Sequence, residues 1–460
     1  MLPSPEPPGD PASAAGVRPG RVLPVVYAVF AHAALAVALG RALVAPADLA
    51  TFPSSPQFVA YVHLLTLGFL ASAVYGAIYA FAPSVLRLPI AERRADLLAA
   101  ALHIAGTMAL AHGLADADPW TAVVGGSAAF LGGLWVLGRL ALGLPACRVP
   151  PGTRVLIGSA TGFFLLGGGL GVFFVWARIF GLPGELERSA VIAAHAHLAA
   201  FGWLTGTLFG FGSRMLPMLF AARPGAGRDL FGIAALHGAA ALGLGLSFLF
   251  WPSAVPCFAL LAALAVAGFL AHGAAMARRR VRPAAFRRGF DPTKFHAGLA
   301  LAGLALSAAL GVAIAWHPEA LALRRAIVPY GIVALLGFLA QMVFAVLGLL
   351  GPAYAWIRRQ GQPQGPRALF AAAVPPAPLD FRASLPWLRG VLAGWGLGVP
   401  VLAAGAFAGQ PGLVRSGAAL LLLATLVSAA HLLRLGREAV VRAPEAGGSA
   451  AAKPSRRPAR

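Results

Sequence analysis

The sequence predicts an all-α polytopic membrane protein of about twelve transmembrane helices in three four-helix units. Three observations predict it: an apolar composition, an alternation of basic loops, and an internal repeat. Of 460 residues, 59% are hydrophobic and only 11% are charged, and the mean hydropathy is +0.79. A soluble chain carries about 25% charged residues, so most of this surface faces hydrocarbon. Two cysteines, Cys147 and Cys257, exclude a disulfide scaffold and a cysteine-rich metal centre. The 56 glycines and 37 prolines would suggest disorder in a polar chain; within apolar stretches they suggest close helix packing and kinks.

A spanning helix needs roughly 20 apolar residues. Such segments fall at 22–45, 58–82, 96–115, 120–141, 154–176, 190–219, 230–251, 254–276, 294–316, 326–356, 387–408 and 412–434. Residues 1–21 and 441–460 read as polar tails, the second basic, and 357–385 as a linker. The N-terminal stretch has no basic segment followed by an apolar core, so it reads as a flexible tail and not as a signal peptide.

Basic residues test this count. Numbering the loops from an N-terminus inside, thirty of the 36 lysines and arginines fall on the inner side. The outer side keeps Arg41, Arg178, Arg188, Arg324, Arg325 and Arg415. Shifting one boundary would scramble that pattern. The positive-inside rule therefore predicts twelve spans with both termini cytoplasmic, as in a bacterial inner membrane. The formal net charge of +21 is explained by these loops. No aromatic-interleaved soluble domain accompanies it, so the expected partner is the lipid bilayer and not nucleic acid.

The repeat is the third observation. His63 to Pro83 reads HLLTLGFLASAVYGAIYAFAP, and His197 to Pro217 reads HLAAFGWLTGTLFGFGSRMLP. Without gaps they share His63/His197, Leu64/Leu198, Gly68/Gly202, Leu70/Leu204, Gly76/Gly210 and Pro83/Pro217, all at one constant offset. One period further, Ile332 to Pro352 keeps Gly337, Phe338, Leu339 and Pro352, and Ile332 replaces the histidine. Each period holds four helices, giving units of about 22–150, 151–290 and 291–440.

Histidines in hydrocarbon are costly to leave unpaired, and intramembrane ionisable residues are functional candidates. His63 and His197 therefore stand out as possible haem or metal ligands. His195 lies two residues from His197, roughly 200° around a regular helix, so the two do not face one centre. The alignment selects His197 as the inward one, and His195 then faces a neighbouring helix or the outer surface. His32, His103, His112, His237, His272, His296, His317 and His431 read as packing or interface histidines. Tyr330 and Gln341 are polar candidates on the tenth helix. LLGGGLG at Leu165 to Gly171 lies in an apolar helix and reads as a packing surface, not a phosphate loop. Carboxylates are nearly absent from the spans, which argues against an ion-coupled transporter.

Three four-helix units with histidines near the outer ends of helices two and six resemble the haem–copper oxidase subunit I superfamily. The pattern H-x4-G-[FW]-x6-G-x6-P at His63 and His197 also resembles the NnrS family of haem–copper membrane proteins, associated with nitric-oxide stress. The resemblance implies haem, with copper as a second cofactor. It makes His63 an axial haem ligand and His197 a copper ligand, with His195 as a further metal candidate. Arg324 and Arg325 are the implied partners of haem propionates, and a diatomic gas and an electron donor the implied small partners. The superfamily also places ligating histidines on helices seven and ten. Here the tenth helix has none and the seventh only His237, so a complete proton-pumping oxidase is not expected. The alternatives are a membrane transporter or permease, and a cofactor-less structural or assembly relative.

Overall fold

A computed structural model describes residues 20–50, 55–88, 90–184, 186–225, 227–281, 289–360 and 381–441. Among the described residues the protein is all-α, with twelve helices long and apolar enough to cross a membrane. We number them α1 (Leu23–Val44), α2 (Pro56–Leu86), α3 (Arg94–Ala115), α4 (Pro119–Ala146), α5 (Pro151–Phe180) and α6 (Arg188–Phe220). Then follow α7 (Asp229–Phe250), α8 (Pro252–Ala277), α9 (Pro292–Trp316), α10 (Ile327–Trp356), α11 (Phe381–Ala408) and α12 (Pro411–Arg437). Several start on proline, whose missing N–H and fixed φ suit the first helical turn.

One boundary moves substantially. α11 begins at Phe381 and not near 387, and the helix before it runs on to Gln360. Pro386 and Arg382 disguise the start of α11. Proline inside a membrane helix is tolerated because neighbouring helices re-satisfy the freed backbone groups. The sequence-derived linker 357–385 thereby shrinks to 361–380, which, like both tails beyond residues 20 and 441, lies outside the described residues.

Consecutive helices pack side by side, and α12 packs back onto α1, closing a ring. α2, α6 and α10 stand inside it. Each breaks from α-helical to π-helical winding over eight residues: Leu64–Ala71, Leu198–Thr205 and Val333–Ala340. The spacing of these three segments matches that of the sequence repeat, so its period recurs in the backbone. The three π segments touch one another in pairs, which puts a pseudo-threefold axis between them. Arg87 and Ala221, the left-handed residues that end α2 and α6 at φ 53° and 51°, are also one period apart.

Elsewhere small residues set the packing. At Gly106 and Gly125 an added Cβ would run into the backbone of the facing helix, so α3 and α4 meet main chain to main chain. Without a hydrophobic drive between helices in lipid, such close approach supplies the dispersion contact that holds them. Beside it, Asp96 is fully buried near the face that carries both termini. Its carboxylate accepts from Arg93 N at 2.7 Å and Trp135 Nε1 at 2.8 Å, and pairs with Arg139.

Candidate functional site

The π winding explains two histidines that read as packing residues in the sequence. An i→i+5 turn leaves carbonyls without a helical donor, and such turns mark functional positions. His103 Nε2 on α3 donates to Leu67 O at 3.2 Å, and His237 Nε2 on α7 donates to Phe201 O at 2.9 Å. Donor and acceptor are both displaced by one repeat period. Each ring also rests on an equivalent aromatic: His103 on Tyr75 at 4.9 Å and His237 on Phe209 at 5.6 Å. In the third unit Phe344 occupies that aromatic position and Trp395 on α11 packs against it at 4.7 Å. The spacing of His103 and His237 equals that of His63 and His197, a signal present in the sequence but carried by a single residue pair.

The ligand candidates lie beyond the π segments, toward the face opposite the termini. His63 is seven residues into α2, about 10 Å along its axis. Its Nδ1 donates to Val59 O at 2.8 Å, and His197 Nδ1 donates to Ala193 O at 2.8 Å. These two bonds are again one period apart. His195 reaches across to α5, where its Nδ1 donates to Gly167 O at 2.8 Å. A carbonyl partner fixes the proton on Nδ1 in all three, so each Nε2 carries a free lone pair.

The rings pair between the inner helices. His63 meets His195, with ring centroids 6.1 Å apart and planes 11° from parallel. His197 instead faces Tyr330 on α10 at 6.4 Å and Phe248 on α7 at 4.8 Å. His195 thus faces neighbouring helices, α5 through Gly167 and α2 through His63, as the spacing implied. The half-turn between His195 and His197 sends the first toward α2 and the second toward α10. The repeat accounts for this arrangement. Tyr61, His195 and Tyr330 occupy one equivalent position, and His63, His197 and Ile332 the other. The second position on one inner helix faces the first position on the next.

These four rings are part-buried. Among the described residues, no three His, Cys, Asp or Glu side chains converge on one point. Arg324 and Arg325 are exposed at the same end of the molecule, on a short helix before α10. Gln341 is buried at the end of the α10 π segment, with its side-chain nitrogen unpartnered. Of the remaining histidines, His32 bonds Ala28 O and Ser428 Oγ, and His272 pairs with Asp229, as packing and interface residues do.

No protein-family model matches the chain, and no curated protein matches it in sequence. Its description therefore rests on its own architecture: an all-α membrane protein with, among the described residues, twelve spanning helices and paired histidine and tyrosine rings at one end of three inner helices.

Proposed function

We propose that the protein is a haem- or metal-binding membrane protein similar to the haem–copper oxidase subunit I superfamily and the NnrS family. The observation that carries this reading is the donor state of His63 and His195. Both have Nδ1 tied to a backbone carbonyl, which is how ligating histidines are usually oriented, and both keep Nε2 free. With ring centroids 6.1 Å apart, the pair offers two nitrogen donors to one ligand. They do not make a closed four-ligand site or a three-histidine copper centre, so haem is the better match. Copper would need a third donor that His197, turned toward Tyr330, does not supply.

Bound haem would supply gas binding or electron transfer. His63 and His195 would hold and orient the iron, and the apolar helices around them would exclude water. The gas and the electron donor named above are the partners this reading requires. We also infer that the terminus-bearing face is cytoplasmic, because thirty of the 36 basic residues belong to that side.

The test is an optical spectrum of the purified protein, with haem and metal analysis, after expression with ample supply of both. A Soret band that shifts or disappears in both His63→Ala and His195→Ala supports the reading. Folded protein without stoichiometric haem or metal overturns it. Loss in His197→Ala, with His195→Ala unaffected, would restore the ligand set implied by the resemblance.

A further inference from the structure

Below the π segments, toward the terminus-bearing face, α1, α2, α6 and α10 line a partly open cavity of about 150 Å³. Its walls are almost wholly apolar, with Phe69, Phe211, Met215 and Met342 among them. Such a space stays dry and accepts apolar guests; engineered cavities of this size take up benzene.

At the same end stands an arginine to which the described residues bring no carboxylate. Arg214 on α6 is half-buried, and its Nε is sealed from solvent without a hydrogen-bond partner. It lies one helical turn from Phe211 and next to Met215, both of which line the cavity. The last turn of α2 packs against this part of α6, and Arg87, which ends that turn, is within electrostatic reach of Arg214. A half-buried guanidinium with an exposed one nearby is a place where an anionic head group can pair.

The described carboxylates of this face are committed elsewhere. Glu92 accepts from Val22 N and Leu23 N at the start of α1. Asp96 holds Arg139, Asp229 holds His272, and Asp291 caps α9 through Thr293. Arg214 has no counterpart in the other units, where Ala80 and Leu349 take its place. It is therefore not a relic of the repeat.

We propose that the cavity and the arginine pair form one binding site for an amphipathic anion of fatty-acid type, with its hydrocarbon in the cavity and its head on Arg87 and Arg214. The apolar walls select the tail, and the planar guanidinium groups select a carboxylate or phosphate head. This site is separate from the histidine rings and stands whether or not they bind a cofactor.

The probes are octanoate, butyrate, 1-octanol and inorganic phosphate. Each is titrated calorimetrically into the full chain in phosphatidylcholine nanodiscs, with empty nanodiscs as blank. Octanoate should bind saturably at one per chain, and butyrate, 1-octanol and phosphate each at least about tenfold more weakly. Losing one charge-assisted hydrogen bond costs about 1.5–3 kcal/mol, or tenfold and upward. Arg214→Gln should weaken octanoate by that factor. Arg87→Gln, at an exposed position, should do the same. Ala73→Leu, which fills the cavity from α2, should abolish octanoate binding.

Equal binding of octanoate and 1-octanol, or undiminished binding in Arg87→Gln, would overturn the role of the arginines. Phosphate binding as tightly as octanoate would overturn the role of the cavity. No saturable octanoate binding to folded protein would overturn the site.

Discussion

Asp96 offers a quantitative test of how this fold tolerates charge. Its carboxylate is fully buried and gathers Arg93 N, Trp135 Nε1 and the Arg139 guanidinium. The Arg139 side chain is 13% exposed and also donates to Ala91 O. Asp96→Asn keeps the shape, and its amide oxygen can still accept from Trp135, but Arg139 becomes an uncompensated buried cation. Breaking a buried pair from one side costs about 3–5 kcal/mol. The slight exposure of Arg139 and its second acceptor at Ala91 reduce that to about 2–3 kcal/mol. Asp96→Asn/Arg139→Gln removes the stranded charge and should recover at least about 1 kcal/mol of the loss. Unfolding by graded sodium dodecyl sulfate, followed by helical circular dichroism, measures all three variants in one double-mutant cycle. If Asp96→Asn lies within about 0.5 kcal/mol of wild type, the ion pair contributes nothing; surface substitutions give that much. A double variant less stable than Asp96→Asn would equally refute the argument.

Other consequences follow from the same geometry. His237→Leu should destabilise by about 1–3 kcal/mol, because Phe201 O is left without its side-chain donor. His103→Leu should cost less, since Ser72 Oγ still donates to Leu67 O at 3.2 Å, whereas Gly206 stands at the matching place in the second unit; the same unfolding assay ranks the two. Gly125→Leu should yield no folded protein, because the side chain would occupy the backbone of α3; monodispersity on size exclusion reads the outcome. Asp118 caps α4, and its hydrogen bonds from Thr121 and Trp120 hold its carboxyl below the usual carboxylate range. A lowered folded-state pKa gives stability that is present above the unfolded value and lost as pH falls through the folded one. Melting curves of wild type below pH about 4 should therefore fall more steeply than those of Asp118→Asn.

Much of the fold was legible in the chain itself. Spans follow from composition because a helix in lipid must satisfy its own backbone, so hydropathy and length suffice. The placement of α11 was the exception, since Pro386 reads as a helix start when only local rules are applied. Of the candidate site, the conspicuous residues were legible: His63 and His197 stand out through the repeat, and His195 through proximity. Their partners were not. Whether His63 meets His195 or His197 depends on how α2 and α6 rotate about their axes. Those rotations are set by π turns and by contacts with α5, α7 and α10 that are distant in sequence. His103 and His237 illustrate an intermediate case. Their spacing was visible, but their purpose was not, because an unpaired π-turn carbonyl exists only once the helix has been wound.

The sequence by itself determined the twelve spans, the clustering of basic residues and the period of the repeat, since each is a property of local composition or of self-similarity. Tertiary structure alone decided that the three π segments meet on an axis, that His63 faces His195, and that an apolar cavity opens between α1, α2, α6 and α10. Those are relations between helices, and in a bilayer they are set by steric fit and hydrogen bonding between surfaces that are all similarly apolar. Hydrophobic pattern carries no record of which apolar face meets which.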